Sequence, residues 1–427
     1  MRTRPRLVIG AAALAATLVA AAVASASAPP GSAHPRVVTV GTLGNEPLVA
    51  VAPDGTVYIA ALQYLYRSTD HGAHWTALSL PPESGITEYK TDASISVDPG
   101  GRLYYTFDYP YAGTTAVCTT DDRGANWSCD PAALPGGTDR MWISAPTASE
   151  AFFTSNEGAY QPVFAHTANR GATWSVGEFG GSGTNPYTGP PIAGPQGEVV
   201  QPVDEGSGLA VDIYPRSGGT PGASSPVVQT GLPAAFTGPS GARTPDGTLY
   251  VASEASNGAG GRGVVVARSV DHGQHWSTLP TLPGFGTGTA IFTALAAGAN
   301  GHVGVLYYWT PTASSPDSMP ADAIWYAAYV DSANAAAANP HWRLSLIERI
   351  SHRGLICRGL GCDLDTSGAV PKHTNARFAG DFIGAAIGRD GYAYLSWMGA
   401  DKPPVVTPVD PSSVYGVIHF ARISPPS

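Results

Sequence analysis

Apolar and aromatic residues come in short runs along this chain, each broken by Gly, Pro, Asp or Asn before a helical period can develop. Leu209-Ala210-Val211-Asp212-Ile213-Tyr214, Ile324-Trp325-Tyr326-Ala327-Ala328-Tyr329-Val330 and Ala393-Tyr394-Leu395-Ser396-Trp397 are examples, and each predicts a strand. Four such runs lead into one repeated polar pattern, Ser/Thr-x-Asp/Asn-x-Gly-x-x-Trp, at Ser68–Trp75, Thr120–Trp127, Thr167–Trp174 and Ser269–Trp276. The pattern has the chemistry of a hairpin turn. The hydroxyl and the side chain of Asp70, Asp122, Asn169 or Asp271 bond the turn's own backbone, and the Gly takes a positive φ. Trp75, Trp127, Trp174 and Trp276 then anchor each turn to its sheet.

A second turn recurs more often and counts the units. Its copies are Pro53-Asp54-Gly55, Asp98-Pro99-Gly100-Gly101, Ala148-Ser149-Glu150, Pro195-Gln196-Gly197, Pro245-Asp246-Gly247, Ala299-Asn300-Gly301 and Arg389-Asp390-Gly391. Their last residues are 46, 49, 47, 50, 54 and 90 positions apart, a period of one four-stranded unit with a large insertion before the last. Seven units predict an all-β, seven-bladed β-propeller. A six-bladed ring is the alternative, with the fourth or the sixth region not a true blade. A ring must close, because an open blade leaves an unpaired edge. The strand-like Arg36-Val37-Val38-Thr39-Val40 is predicted to complete the last blade from outside.

Composition agrees with many short strands: 52 Gly, 38 Pro and 13% charged residues in 427. A net charge of −9 with scattered basic residues argues against a nucleic-acid partner. Residues 1–28 carry Arg2, Arg4 and Arg6, an apolar run from Leu7 to Val23 and small residues to Ala28, the order of a secretory signal peptide. No later apolar segment is long enough to span a bilayer, so residues 29–427 are read as one secreted, extracellular and monomeric propeller domain. Few lysines among the basic residues and abundant Ala suggest a bacterial source. In an exported chain the close pairs Cys118 with Cys129 and Cys357 with Cys362 predict disulfides, although a zinc site of His352 with the second pair is conceivable. The second pair lies in the insertion, residues 349–376, expected to overhang one face.

Candidate chemistry gathers where the inner strands begin, at Asn45-Glu46, Thr91-Asp92, Asp139-Arg140, Phe236-Thr237 and Arg377-Phe378-Ala379-Gly380-Asp381. Radial repetition superposes these positions, so they are expected to converge on one mouth of the central channel. Arg140, Arg243 and Arg377 are nominated for anion recognition, together with Asp381, because most other arginines sit in turns. Tyr89, Glu46, Asp92 and Asp139 are nominated for catalysis. No cofactor is required, but calcium at Glu46, Asp92, Asp139 and Asp381 is a competing use of the same oxygens.

The repeated Ser/Thr-x-Asp/Asn-x-Gly-x-x-Trp turn resembles the Asp-box of the sialidase superfamily, also called the BNR repeat. The chain is similar, over most of its length, to exported bacterial sialidase-like proteins with an Asp-Arg-x-Trp strand, here Asp139-Arg140-Met141-Trp142. They also share a late His-x-Gly-x-Ile-Cys segment, here His352-Arg353-Gly354-Leu355-Ile356-Cys357, followed by Cys362 and Gly380-Asp381-Phe382-Ile383-Gly384. The resemblance implies a propeller and a glycoside hydrolase of exo-α-sialidase type, acting on an extracellular glycan or glycoprotein. Such enzymes use a Tyr nucleophile, a Glu that activates it, an Asp acid and three substrate-binding arginines. The family's Phe/Tyr-Arg-Ile-Pro motif is absent, Gly44-Asn45-Glu46-Pro47-Leu48 standing in its place. The alternative function is therefore a propeller that binds a glycan or a protein without turnover.

Overall fold

The computed structural model describes residues 35–42, 44–62, 64–79, 91–109, 114–135, 139–156, 163–178, 187–205, 208–217, 224–232, 238–280, 282, 287–356, 380–399, 405–406 and 414–426. The apolar runs form the middle strands of seven antiparallel sheets, which follow the chain as blades one to seven. Their inner strands are Leu48–Val51, Thr91–Val97, Asp139–Ser144, Tyr187–Thr188 with Ile192–Ala193, Ser240–Arg243, Thr289–Ala297 and Gly384–Ile387. These surround a central channel. Blade four has five strands because its inner strand is split in two, and blade six is a complete four-stranded sheet, so the ring is seven-bladed and not six-bladed.

Closure follows the expected route. Val37–Gly41 pairs antiparallel with Val417–Ile423, Val37 opposite Ala421, and forms the outer edge of blade seven. The outer strand of blade six, Arg343–Arg353, is longer than the sequence suggested, and Arg353 pairs with Ile324. Residues 349–353 of the expected insertion therefore belong to the sheet. Cys357 and Cys362 lie outside the described residues. Cys118 and Cys129 stand directly opposite each other in the outer hairpin of blade two and are joined by a disulfide.

Packing is radial. Each sheet buries one face against the next, so the core is a series of layers between blades. Tyr58, Ala60 and Leu65 of blade one meet Leu103, Tyr105 and Phe107 of blade two, all at most 1% exposed. The largest cluster joins blades six, seven and one through Tyr308, Trp325, Trp397, Ile59 and Phe420. Aromatic and β-branched side chains suit this half-pleated packing and supply most of the burial.

The four repeated turns share one hydrogen-bond scheme. In each, the hydroxyl of Ser68, Thr120, Thr167 or Ser269 donates to the Asp or Asn oxygen at 2.8–2.9 Å. The same hydroxyl accepts the glycine N–H at 2.8–3.0 Å. Trp75, Trp127 and Trp276 donate their indole N–H to the glycine carbonyl. The residue after the Asp or Asn, namely His71, Arg123, Arg170 or His272, has φ between 57° and 65°. Three of these four side chains reach the preceding blade: Arg123 pairs with Asp54, Arg170 with Asp121, and His71 bonds Tyr394 across the closure. The turns thus stitch neighbouring blades on one face of the ring.

These turns also set an acid limit. The Asn126 amide and side chain hold the Asp122 carboxyl at about 2, and His275 does the same for Asp271. The His74 amide and ring hold Asp70 lower still. A lowered folded pKa means the contribution is complete above the unfolded value near 4 and is lost as the pH falls toward 2. Thermal melts by circular dichroism are expected to lose midpoint steadily over that window, with a shallower slope in Asp122→Asn/Asp271→Asn. Asn169, whose amide serves the third turn by accepting Thr173 N–H and donating to Thr173 Oγ1, indicates that the replacement keeps the turn. Identical slopes for the two proteins would contradict this account.

Candidate functional site

Five inner strands have a left-handed residue just before them or within their first four positions: Glu46 (φ 52°), Asp92 (29°), Arg140 (56°), Gly238 (57°) and Phe292 (56°). Glu46, Asp92, Gly238 and Phe292 each stand nine positions before the left-handed glycine of the following turn, Gly55, Gly101, Gly247 or Gly301. Arg140 keeps the same offset from Ser149. The pairing register slips at these places, between Thr91 and Ala93, Asp139 and Trp142, and Ile291 and Ala294. A bulge of this kind turns a side chain that would lie along the sheet toward its end. Non-glycine residues with positive φ cost about 1–3 kcal/mol each, so their repetition requires compensating contacts.

Carboxylates supply them. Asp92 Oδ2 accepts the Arg140 backbone N–H at 3.0 Å, Glu46 Oε1 accepts that of Asp381 at 2.9 Å, and Glu254 Oε1 accepts that of Phe292 at 3.0 Å. Each bond crosses to the neighbouring blade. Glu46 and Asp92, nominated for catalysis, therefore each commit an oxygen to holding an adjacent strand in register. Glu254 is completely buried and also accepts from Arg262 Nη1 at 2.7 Å. Sequence reasoning missed this pair, although a carboxylate inside the apolar strand Leu249–Ser256 was a usable signal.

Arg140 and Asp381 form the centre of the mouth. Arg140 Nη2 donates to Asp381 Oδ2 at 3.0 Å, and their side chains are 6% and 14% exposed. The guanidinium carbon lies 4.7 Å from the Tyr187 ring centroid and 5.3 Å from that of Phe382. Trp142 meets Phe382 edge to face at 4.7 Å and donates its indole N–H to Thr188 O at 3.1 Å. Cation–π contacts contribute about 0.5–2 kcal/mol and help to hold the guanidinium against the two rings. Tyr187, Phe382 and, to a small extent, Asp381 keep some surface exposed, whereas Arg140 and Trp142 are buried.

Behind the mouth runs a cavity of about 370 Å³ that touches inner strands of all seven blades. Ser94, Ser96, Ser144, Thr188, Ser240 and Thr293 punctuate a wall that includes apolar residues such as Ile95, Ile143 and Leu295. Among the described residues lining it, Asp381 is the one charged side chain.

The structure thus brings together Glu46, Asp92, Arg140 and Asp381. It does not bring Arg243 to them. That residue ends its inner strand at the opposite opening, where Nη1 donates to Gln196 O at 3.2 Å. Ser240, at the other end of the same short strand, is the residue near the mouth side, so strand direction decided the matter. Asp139 occupies the first position of its strand, with its side chain outside the described residues, as are Tyr89 and Arg377 entirely. Among the described residues no group of three or more His, Cys, Asp and Glu side chains is arranged to hold a metal ion, calcium included. His352 Nε2 lies 2.8 Å from Leu355 O, and burial pushes the ring down to about 4, so it is neutral at pH 7.

No family model matches the chain, and no curated protein is similar to it at a significant level. Solved structures are similar in fold. A polysaccharide lyase, ulvan lyase, superposes with a TM-score of 0.53 at 11% identity, over 91% of this chain and 96% of that one. The phage phi92 endosialidase gives 0.51 at 12% identity, over 92% of this chain and 70% of that one. The intramolecular trans-sialidase from Ruminococcus gnavus gives 0.45 at 12%, over 65% and 94%. At such identity the likeness is one of propeller architecture.

Proposed function

We propose that this protein is an exported, sialidase-like Asp-box propeller that binds carbohydrate at the channel mouth. The observation that carries the reading is the Asp381 carboxylate in the cavity wall at the mouth, fixed by buried Arg140 and flanked by the partly open rings of Tyr187 and Phe382. A carboxylate accepts hydrogen bonds from sugar hydroxyls, and aromatic faces cover the apolar faces of pyranose rings. Arg140 is spent on Asp381 and the rings, and Arg243 is at the other end of the channel. The arginine set that would hold a sialic acid carboxylate is therefore not assembled among the described residues, which favours a sugar recognised through hydroxyls.

A second reading, hydrolysis of the exo-α-sialidase type, has one observation in its favour. Tyr187 and Asp381 both contact the same guanidinium, placing a phenol and a carboxylate at one mouth. A Tyr nucleophile and a carboxylate acid are the groups that chemistry uses. Glycan binding is tested with Asp381→Asn, which keeps the shape and removes the charge. Retention on a surface of immobilised glycans is expected to fall by about tenfold or more, as for loss of a charged hydrogen bond. Undiminished retention would remove Asp381 from the site.

A further inference from the structure

The opposite end of the channel opens into a second cavity, of about 420 Å³, at the turns of blades three to seven. Its wall is mostly Gly, Ala and Pro, with two guanidinium groups, Arg243 and Arg389. Several other arginines in the turns and strands of this face are paired with carboxylates, among them Arg102 with Asp121, Arg123 with Asp54, Arg216 with Glu150 and Arg422 with Asp390, while Arg67 and Arg268, outside the cavity wall, bond backbone carbonyls. Arg243 and Arg389 are bonded to backbone carbonyls instead, those of Gln196 at 3.2 Å and Pro99 at 3.3 Å. In a chain of net charge −9 these two cations face the opening without an acidic partner among the described residues.

Arg243 is also held in place. A Cβ on Gly194 would collide with its Nη1, and one on Gly247 would come within 3.1 Å of its Nη2, so the guanidinium lies flat in a slot that two glycines leave open. The one acidic residue among the described residues of the wall, Asp246, bonds its own loop, where Oδ1 accepts from Thr244 Oγ1 and Thr248 N–H. A guanidinium offers five N–H donors in a planar fork. One donor of each is used by the carbonyl, and the others have no protein acceptor among the described residues.

We infer that this opening is an oxyanion-binding site, with Arg243 and Arg389 as its ligands for a carboxylate, sulfate or phosphate group. It stands independently of the glycan reading, since it lies at the other end of the channel and shares no charged residue with the mouth. A group of that size fits the cavity, and two forks from blades five and seven would clamp it across the opening.

The test is calorimetric titration of residues 29–427 with sodium sulfate, sodium phosphate and trigalacturonate, each against sodium chloride at matched ionic strength. Saturable one-site binding of at least one probe is expected, weakened about tenfold in Arg389→Gln and abolished in Arg243→Gln/Arg389→Gln. Arg389 is exposed, so its variant should fold as the parent does. Preference for trigalacturonate would identify a sugar-borne carboxylate as the source, and preference for the inorganic ions a free anion. Arg67→Gln, another arginine bonded only to a carbonyl on this face, should bind as the parent does. The inference is overturned by the absence of saturable binding for all three probes, or by binding that survives in the double variant.

Discussion

Arg140→Ala is expected to destabilise the protein by about 3–5 kcal/mol and to abolish retention on glycan, the largest double effect of any single change at the mouth. The cost comes less from the lost contact than from what stays behind. Asp381, with a side chain 14% exposed, would keep a charge without its guanidinium, and the Tyr187 and Phe382 rings would lose the planar group between them. Denaturant titration gives the stability term. The companion Arg140→Ala/Asp381→Asn should recover part of it, because the stranded charge is gone, while retention stays lost. A midpoint unchanged in Arg140→Ala would mean that the pair does not hold the mouth together.

Gly72→Ala is the second large effect, and it acts at the ring closure. Gly72 has φ of 92°, and a Cβ there would run into the ring of Phe420 in blade seven, which also packs against Trp75 at 5.0 Å. The backbone contributes about 1–2 kcal/mol and the overpacking about 1–3 more. Gly101 separates the two terms. Its φ is 95°, yet nothing lies within 4 Å of an added Cβ, so Gly101→Ala should show the backbone term alone. Denaturant midpoints that match for the two variants would contradict a tight seam between blades one and seven.

The architecture was legible because its signals are local. Hairpin turns such as Pro53-Asp54-Gly55 and the Ser68–Trp75 pattern are written in consecutive residues, and their spacing counts the sheets. The closing strand Val37–Gly41 could be found because a ring admits no free edge. Blade four carries no Ser/Thr-x-Asp/Asn-x-Gly-x-x-Trp turn, but its strand Gly208–Tyr214 and the turn at Gly197 were enough to place it.

The site was legible in part. Glu46, Asp92, Arg140 and Asp381 come together as radial superposition implies, but what each side chain does depends on tertiary contacts with no sequence period. That Asp92 would accept from the Arg140 amide, rather than stand free as an acid, follows from a bulge between Thr91 and Ala93. Arg243 was misplaced for a simpler reason. It lies four residues before Gly247, and a four-residue inner strand carries it to the turn side of the channel. Tyr187 completes the mouth from the split inner strand of blade four, an irregularity that periodicity does not register.

The most direct measurement is to pass purified residues 29–427 over an array of sialylated and neutral glycans, reading retention and released monosaccharide together. The account predicts retention on neutral glycans without release, diminished by Asp381→Asn. Release of sialic acid that is lost in Tyr187→Phe would contradict it and make the mouth a hydrolase.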